Sequence, residues 1–204
     1  TRAFFSKTGR AKYISHLDLS SVIIRAMKRT KLPIWQTEGF NPRTYVTFML
    51  PLSLGQEGIH EAMDFRLTED VPYSEVRERL NAALPPDIQV TEITVPKDKN
   101  TDITAARYHI ESSADPEKLR ALCAREQINV EKRTKKGSAI VDLKPLMTDV
   151  ELHGDVLEVT LPAGTTFNIN PSLIFEAYSA EYGEQVKRLK IVRTHIYSGE
   201  REFE

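Results

Sequence analysis

A single cysteine, Cys123, stands in 204 residues, which excludes internal disulfides, cysteine zinc sites and any iron–sulfur cluster held by this chain alone. No apolar run approaches the ~18–20 residues that a helix needs to span a bilayer. Neither a signal-peptide apolar region nor a cleavage site opens the sequence, so a cytoplasmic protein without membrane contact is expected. Low-complexity segments are absent. So are the Gly-x-Ser-x-Gly, His-Glu-x-x-His, Gly-x-Gly-x-x-Gly and Cys-x-x-Cys motifs of common enzyme classes. The histidines, His16, His60, His109, His153 and His195, are scattered without metal-ligand spacing, so neither a metal nor a cofactor is expected. The remaining composition, 40% apolar and 28% charged, is too apolar for a disordered chain and suits a globular one.

Net charge is −1, which argues against a uniformly basic nucleic-acid binder, yet the charge is unevenly placed. Residues 1–45 carry nine Lys/Arg against Asp18 and Glu38, a balance of +7. Residues 46–100 carry five basic and ten acidic side chains, a balance of −5. A second basic knot, Lys132-Arg133-Thr134-Lys135-Lys136, lies in an otherwise acidic half. Anions respond to such patches and not to the total.

The polar, turn-rich stretch Pro96–Asp102 predicts a seam, dividing the chain into a domain over 1–96, a linker over 97–104 and a domain over 105–204. In the first part, Arg2–Ser6 and Lys12–Ile14 read as strand. Leu19, Val22, Ile23, Ala26 and Met27 then recur at helical spacing, behind Ser15-His16-Leu17-Asp18 with its capping-box spacing. Strands near Ile34–Gln36, Tyr45–Met49 and Ala62–Leu67 follow. A helix over Tyr73–Leu84 and a strand over Ile88–Val95 complete the unit. The second part repeats the order. A strand Arg107–Ser112 precedes a helix capped by Asp115, then a hairpin around Lys135-Lys136-Gly137. A strand pair around Gly154-Asp155, a helix from Asn170-Pro171 to about Tyr182 and a last strand over Val186–Ile196 close the chain. The expected fold is α+β: two tandem ferredoxin-like (split βαβ) units with antiparallel sheets, helices on one face and the other faces free to form a cleft.

Several residues are candidates for chemistry. His16 opens a helix, where the macrodipole disfavours imidazolium; it is either a neutral general base or a packed ring. Asp18 caps that helix or contributes to binding. Glu38-Gly39-Phe40-Asn41-Pro42-Arg43 concentrates turn-forming and polar residues: Asn41 and Arg43 suit polar or phosphate contacts, and Phe40 either stacks on a base or anchors the loop. The hairpin Lys132, Arg133, Lys135 and Lys136 forms a positive finger suited to phosphate, with Asp142 beside it as ion-pair partner or acid. The loop Pro51–Gly55 lacks P-loop spacing and gives no warrant for nucleotide hydrolysis. Gly164–Pro171 leads into a helix start that either binds phosphate or is satisfied by an Asn170 cap. Arg193 and His195 alternate with Thr194 on the last strand and should share a face.

Tyr13-Ile14-Ser15-His16-Leu17-Asp18, Glu38-Gly39-Phe40-Asn41-Pro42 and Pro51-Leu52-Ser53-Leu54-Gly55 together resemble the signature blocks of the radical-SAM-linked family of unknown function. Lys135, Gly137, Asp142 and Pro145, and Gly164 with Asn168 and Pro171, look like that family's later blocks. Arg43 stands where similar proteins often have His, so an imidazole is missing from that loop. The resemblance implies a radical SAM protein as partner and an association with RNA or ribosome metabolism. Any radical chemistry would then belong to the partner, since the cluster cysteines are missing here. The expected fold also looks like that of repeat-processing endoribonucleases and some pseudouridine synthases, an analogy of architecture only. The first expectation is an RNA-binding accessory protein that presents an RNA or ribosomal substrate to a radical SAM enzyme. The alternatives are an adaptor that contacts only that enzyme, and an RNA-acting enzyme with His16 as general base.

Overall fold

The computed structural model describes residues 1–134 and 137–204. In chain order its strands are β1 (Arg2–Lys7), β2 (Val46–Phe48), β3 (Glu57–Phe65), β4 (Ile88–Thr94), β5 (Ala105–Ser112), β6 (Asn129–Thr134), β7 (Gly137–Asp142), β8 (Thr148–His153), β9 (Val156–Pro162), β10 (Leu189–Ser198) and β11 (Arg201–Glu202). Four helices are described: α1 (His16–Thr30), α2 (Tyr73–Ala83), α3 (Pro116–Cys123) and α4 (Ser172–Tyr182). The architecture is mixed α+β around a mostly antiparallel sheet. No described helix is long and apolar enough to cross a membrane.

The helices begin where local chemistry starts them. Ser15 accepts the Asp18 amide at 3.1 Å and donates its hydroxyl to the Asp18 carboxylate at 2.7 Å, so Ser15 is the cap and Asp18 supports it. Asp115 accepts the amides of Glu117 and Lys118 ahead of α3, whose first residue is Pro116. Gly183, at φ 67°, closes α4 in the left-handed region.

One sheet runs through both halves in the order β4-β1-β3-β10-β5-β9-β8, with β2 on β3 and β11 on β10. The halves meet where β10 pairs in parallel with β3, Val192 opposite Glu57 and Arg193 opposite Gly58. The β6–β7 hairpin forms a separate two-stranded sheet. Ala3, Phe5, Met63 and Val90 pack against Leu19, Ile23 and Met27 of α1 and Val76 and Leu80 of α2. Tyr108, Ile110, Leu157 and Val159 pack against Leu119 and Leu122 of α3 and Ile174 and Tyr178 of α4. Lys7 continues the face of Ala3 and Phe5 and pairs with Gly58. Gly58 pairs with Arg193, which in turn pairs with Tyr108. Paired residues share a face, so both helix pairs lie on one side of the sheet, with a charged seam between the two apolar cores.

Four expectations are corrected. Lys12–Ile14 is not a strand: Gly9, at φ 55°, turns the chain into a 3-10 segment over Gly9–Tyr13, and the Thr8 amide bonds the Asp87 carbonyl. Near Ile34–Gln36 there are only single bridges, Ile34 with Leu67 and Gln36 with Thr44. Arg193 and His195 do not share a face, because the register with β5 shifts between them and places His195 beside Arg107. The helix-free faces are not left free to form the expected cleft: in the first half Arg2, Phe4 and Ala62 are buried there, beside a pocket of about 250 Å³ lined by His60, Glu92, Glu202 and Phe203 among others, while a separate cavity lies between β6 and α4.

Candidate nucleic-acid interface

Beneath the junction of the halves lies a buried charged cluster. Arg193, 3% exposed, donates from Nε to Glu61 Oε1 at 2.9 Å, from Nη2 to Glu61 Oε2, and from Nη2 to the Leu50 carbonyl at 2.7 Å. Burial alone would lower the Arg193 pKa, but the Glu61 carboxylate reverses that and leaves it raised. Lys7 is 1% exposed, and its ammonium makes no hydrogen bond or ion pair with any described residue. Burial pulls its pKa below the ordinary lysine value; Glu61 opposes that shift and Arg193 adds to it. By bonding Leu50, Arg193 fixes the root of the 51–56 loop, so its guanidinium works inside the junction and not at the surface.

Gly58 makes that pairing sterically possible. A Cβ at this position would stand 2.1 Å from Glu61 Oε1 and 2.7 Å from its Cγ. Gly58→Ala must therefore push the carboxylate off Arg193. A loss of about 1–3 kcal/mol is expected, read as a lower urea midpoint with an unchanged slope.

Above this floor, the 51–56 loop joins both halves. The Gly55 amide donates to the Lys12 carbonyl at 2.8 Å, and Gln56 donates its amide to Asn170 Oδ1 at 2.9 Å. Asn170 Oδ1 also accepts the Ser172 amide at 3.1 Å, so it satisfies the first amide of α4 from the residue before Pro171, which holds the N-cap position. Between this loop, β6 and α4 lies a cavity of about 760 Å³, walled by Ser53, Asn129, Lys132, Asn168, Ser172 and Glu176 among others. Lys132 donates from Nζ to the Asn168 carbonyl at 2.6 Å and sits 4.8 Å above the Phe167 ring. On the other half, Lys12 lies 5.3 Å over the Tyr13 ring and 3.3 Å from Glu57. Tyr13, Leu17 and Leu54 are 69%, 77% and 67% exposed, and Phe167 and Ile140 are exposed as well. Each half thus presents a lysine over an aromatic ring; Lys132 lines the polar cavity, and Lys12 reaches it only through the 51–56 loop bonded to its carbonyl.

The other candidate residues are dispersed. His16 packs edge-on against Phe48, 5.0 Å between ring centres, and hydrogen-bonds no described side chain. Burial first, and Lys7 second, hold its pKa down, which keeps the ring neutral at pH 7 without a group to orient it as a base. Asp142 is an internal turn ligand: its Oδ1 accepts the Ile128 amide at 2.8 Å and the Lys144 amide at 3.0 Å. Glu38, Phe40, Asn41 and Arg43 occupy an exposed loop, Phe40 completely, tied down through its backbone by Thr37 N to Arg43 O and Arg43 N to Thr37 Oγ1. The Ile34–Leu67 bridge anchors this loop beyond the Phe65 end of β3, opposite the Gly58 end where the halves meet. Lys135 and Lys136 lie outside the described residues, and Arg133 is described in its β6 backbone alone.

The first basic cluster is not one patch. Arg2 is fully buried against Asp64 and the Asp98 carbonyl, and Lys7 is in the seam. Arg29 bonds the Ala83 carbonyl on the outer side of α1. On the helix-free side, Arg107 pairs with Glu151 and Glu158 and Lys190 with Glu111, so these charges neutralise one another, and His109 Nδ1 lies 3.0 Å from Glu158 Oε1. Sequence reasoning missed Lys7 and Glu61. The available signal was a lysine at a core-facing position of an otherwise apolar strand.

Two half-buried rings set a pH response. His16 and His60 both have pKa values below the ordinary 6.5, chiefly through burial. The unfolded chain therefore binds more protons between the folded and ordinary values, and stability present above about 6.5 is lost as pH falls below it. Thermal melts from pH 7.5 to 5.5 should show a falling midpoint, and a shallower fall in the His16→Phe, His60→Phe double variant.

A family model for an uncharacterized protein conserved in bacteria (DUF2344) matches residues 1–171, from β1 to the threshold of α4. No curated protein matches the chain.

Proposed function

The chain belongs to that uncharacterized family of proteins conserved in bacteria, and we propose that it binds single-stranded RNA along the groove between its halves and presents it to a radical SAM enzyme. One observation supports the RNA reading: each half presents a lysine over an exposed aromatic ring, Lys132 of the Phe167 pair lining the polar cavity and Lys12 of the Tyr13 pair bonded through its carbonyl to the 51–56 loop that forms part of the cavity wall. Cations that follow a backbone, together with exposed rings on which bases stack, are what sequence-tolerant single-strand binding requires. Lys135 and Lys136 extend the positive charge by sequence. The signature blocks support the radical SAM partner. The strand orders β4-β1-β3 with β2, and β10-β5-β9-β8, support reading each half as a ferredoxin-like unit.

The fully exposed Phe40, in a loop whose residues 38–43 are all exposed, favours a second contact, with the partner enzyme. In this arrangement RNA and enzyme occupy different ends of the first half.

Fluorescence anisotropy of the protein with labelled single-stranded RNA at several salt concentrations tests the reading. Binding whose logarithm falls with log salt by about 0.7 per phosphate contact is expected. Flat traces at low salt would leave the adaptor role, to be followed by capture of the partner with wild type against the Asn41→Ala, Arg43→Ala double variant.

A further inference from the structure

The cavity beside α4 has a chemistry narrower than general RNA affinity. Its volume of about 760 Å³ falls in the range of sites that enclose one small organic unit, roughly 300–1,000 Å³. The side-chain amides of Asn129 and Asn168 and the hydroxyls of Ser53 and Ser172 line it without a hydrogen bond to any described residue. Val130 and Leu173 supply an apolar wall. Glu131 and Glu176 are also among its lining residues, neither in an ion pair with a described residue, and Lys132 is the one cation among the described lining residues. A wall with that balance repels a phosphate. It suits a neutral ring with donors on its edge, because each amide offers both a donor and an acceptor and each carboxylate only accepts.

We propose that this cavity receives one unpaired nucleoside unit of the bound RNA. The base lies along Val130 and Leu173 with its edge on the amides and carboxylates, and its phosphates stay outside near Lys132. The occupant is a base with an exocyclic amino group in preference to uracil, since the carboxylates need donors. A base still paired in a duplex has its edge occupied and is excluded. This inference rests on the RNA reading and adds to it which part of the RNA enters the fold.

The test is 2-aminopurine placed singly within a labelled RNA, followed by its fluorescence while anisotropy reports total binding. In the single-stranded RNA, a fluorescence change at the bound position is expected, and none in the matched duplex. In the Asn129→Ala, Asn168→Ala double variant binding should weaken with its salt slope unchanged, because neither side chain meets a phosphate. The preference for 2-aminopurine over uracil at the reporting position should fall about tenfold. Unaltered 2-aminopurine fluorescence despite clear binding would overturn the inference and leave the RNA reading standing. A signal and preference that survive in the double variant would do the same. Absence of RNA binding at low salt would overturn both.

Discussion

Glu61→Leu is expected to destabilise the protein by about 3–5 kcal/mol, the largest single-site effect in the molecule. Glu61 is the carboxylate that meets both Nε and Nη2 of Arg193, and both side chains are almost fully buried. Lys7 lies in the same field with no other described partner. Removing the carboxylate therefore strands two cations in a place from which water is excluded. The same reasoning gives the control. Lys7→Met, Glu61→Leu and Arg193→Met combined should recover most of the loss, because apolar groups of similar volume do without the desolvation that the charges require. Urea unfolding of the single and triple variants measures this. A Glu61→Leu loss below about 1 kcal/mol would mean that water reaches the seam.

The second large effect concerns binding. Replacing Tyr13 or Phe167 by alanine should weaken single-stranded RNA binding by about 1–3 kcal/mol each, roughly 5- to 150-fold, with the salt slope unchanged. Lys132→Ala should instead flatten that slope by about 0.7. The two kinds of variant separate stacking from phosphate contact, because stacking releases no counterions. Anisotropy titrations at three salt concentrations distinguish them. Equal affinity in the Tyr13→Ala, Phe167→Ala double variant would place the RNA elsewhere on the surface.

Much of the fold is legible in the sequence for identifiable reasons. α1 announces itself by Leu19, Ile23 and Met27, and α3 by Asp115-Pro116; each begins and repeats through local contacts. β3 is different. The sequence suggests a strand only from Ala62, whereas it begins at Glu57, because Gly58 and Glu61 occupy positions where alternation would call for apolar side chains. An ion pair to Arg193, 132 positions away in sequence, fills that place, and no short-range pattern encodes it. The parallel meeting of β3 and β10 is hidden for the same reason. The shift that separates Arg193 from His195 is set by pairing with β5 and has no local mark.

The site is legible only in part. Lys132 was visible as charge, and Phe167 as part of a turn-rich run, but their stacking depends on the hairpin folding back over the 164–171 loop. Asp142 looked chemical by proximity to lysines and is occupied by two backbone amides. The residues 38–43 have the composition of a binding loop, yet β3 carries them to the far end of the half from the cavity.

Cross-linking of 4-thiouridine-substituted single-stranded RNA to the protein, with the attached peptides identified by mass spectrometry, tests the central claim most directly. RNA lying along the groove should mark peptides from both halves, those holding Tyr13 and Leu54 in the first and Lys132 and Phe167 in the second. Cross-links confined to the helix-free sheet surface around Arg107 and Lys190, or to one half alone, would contradict it.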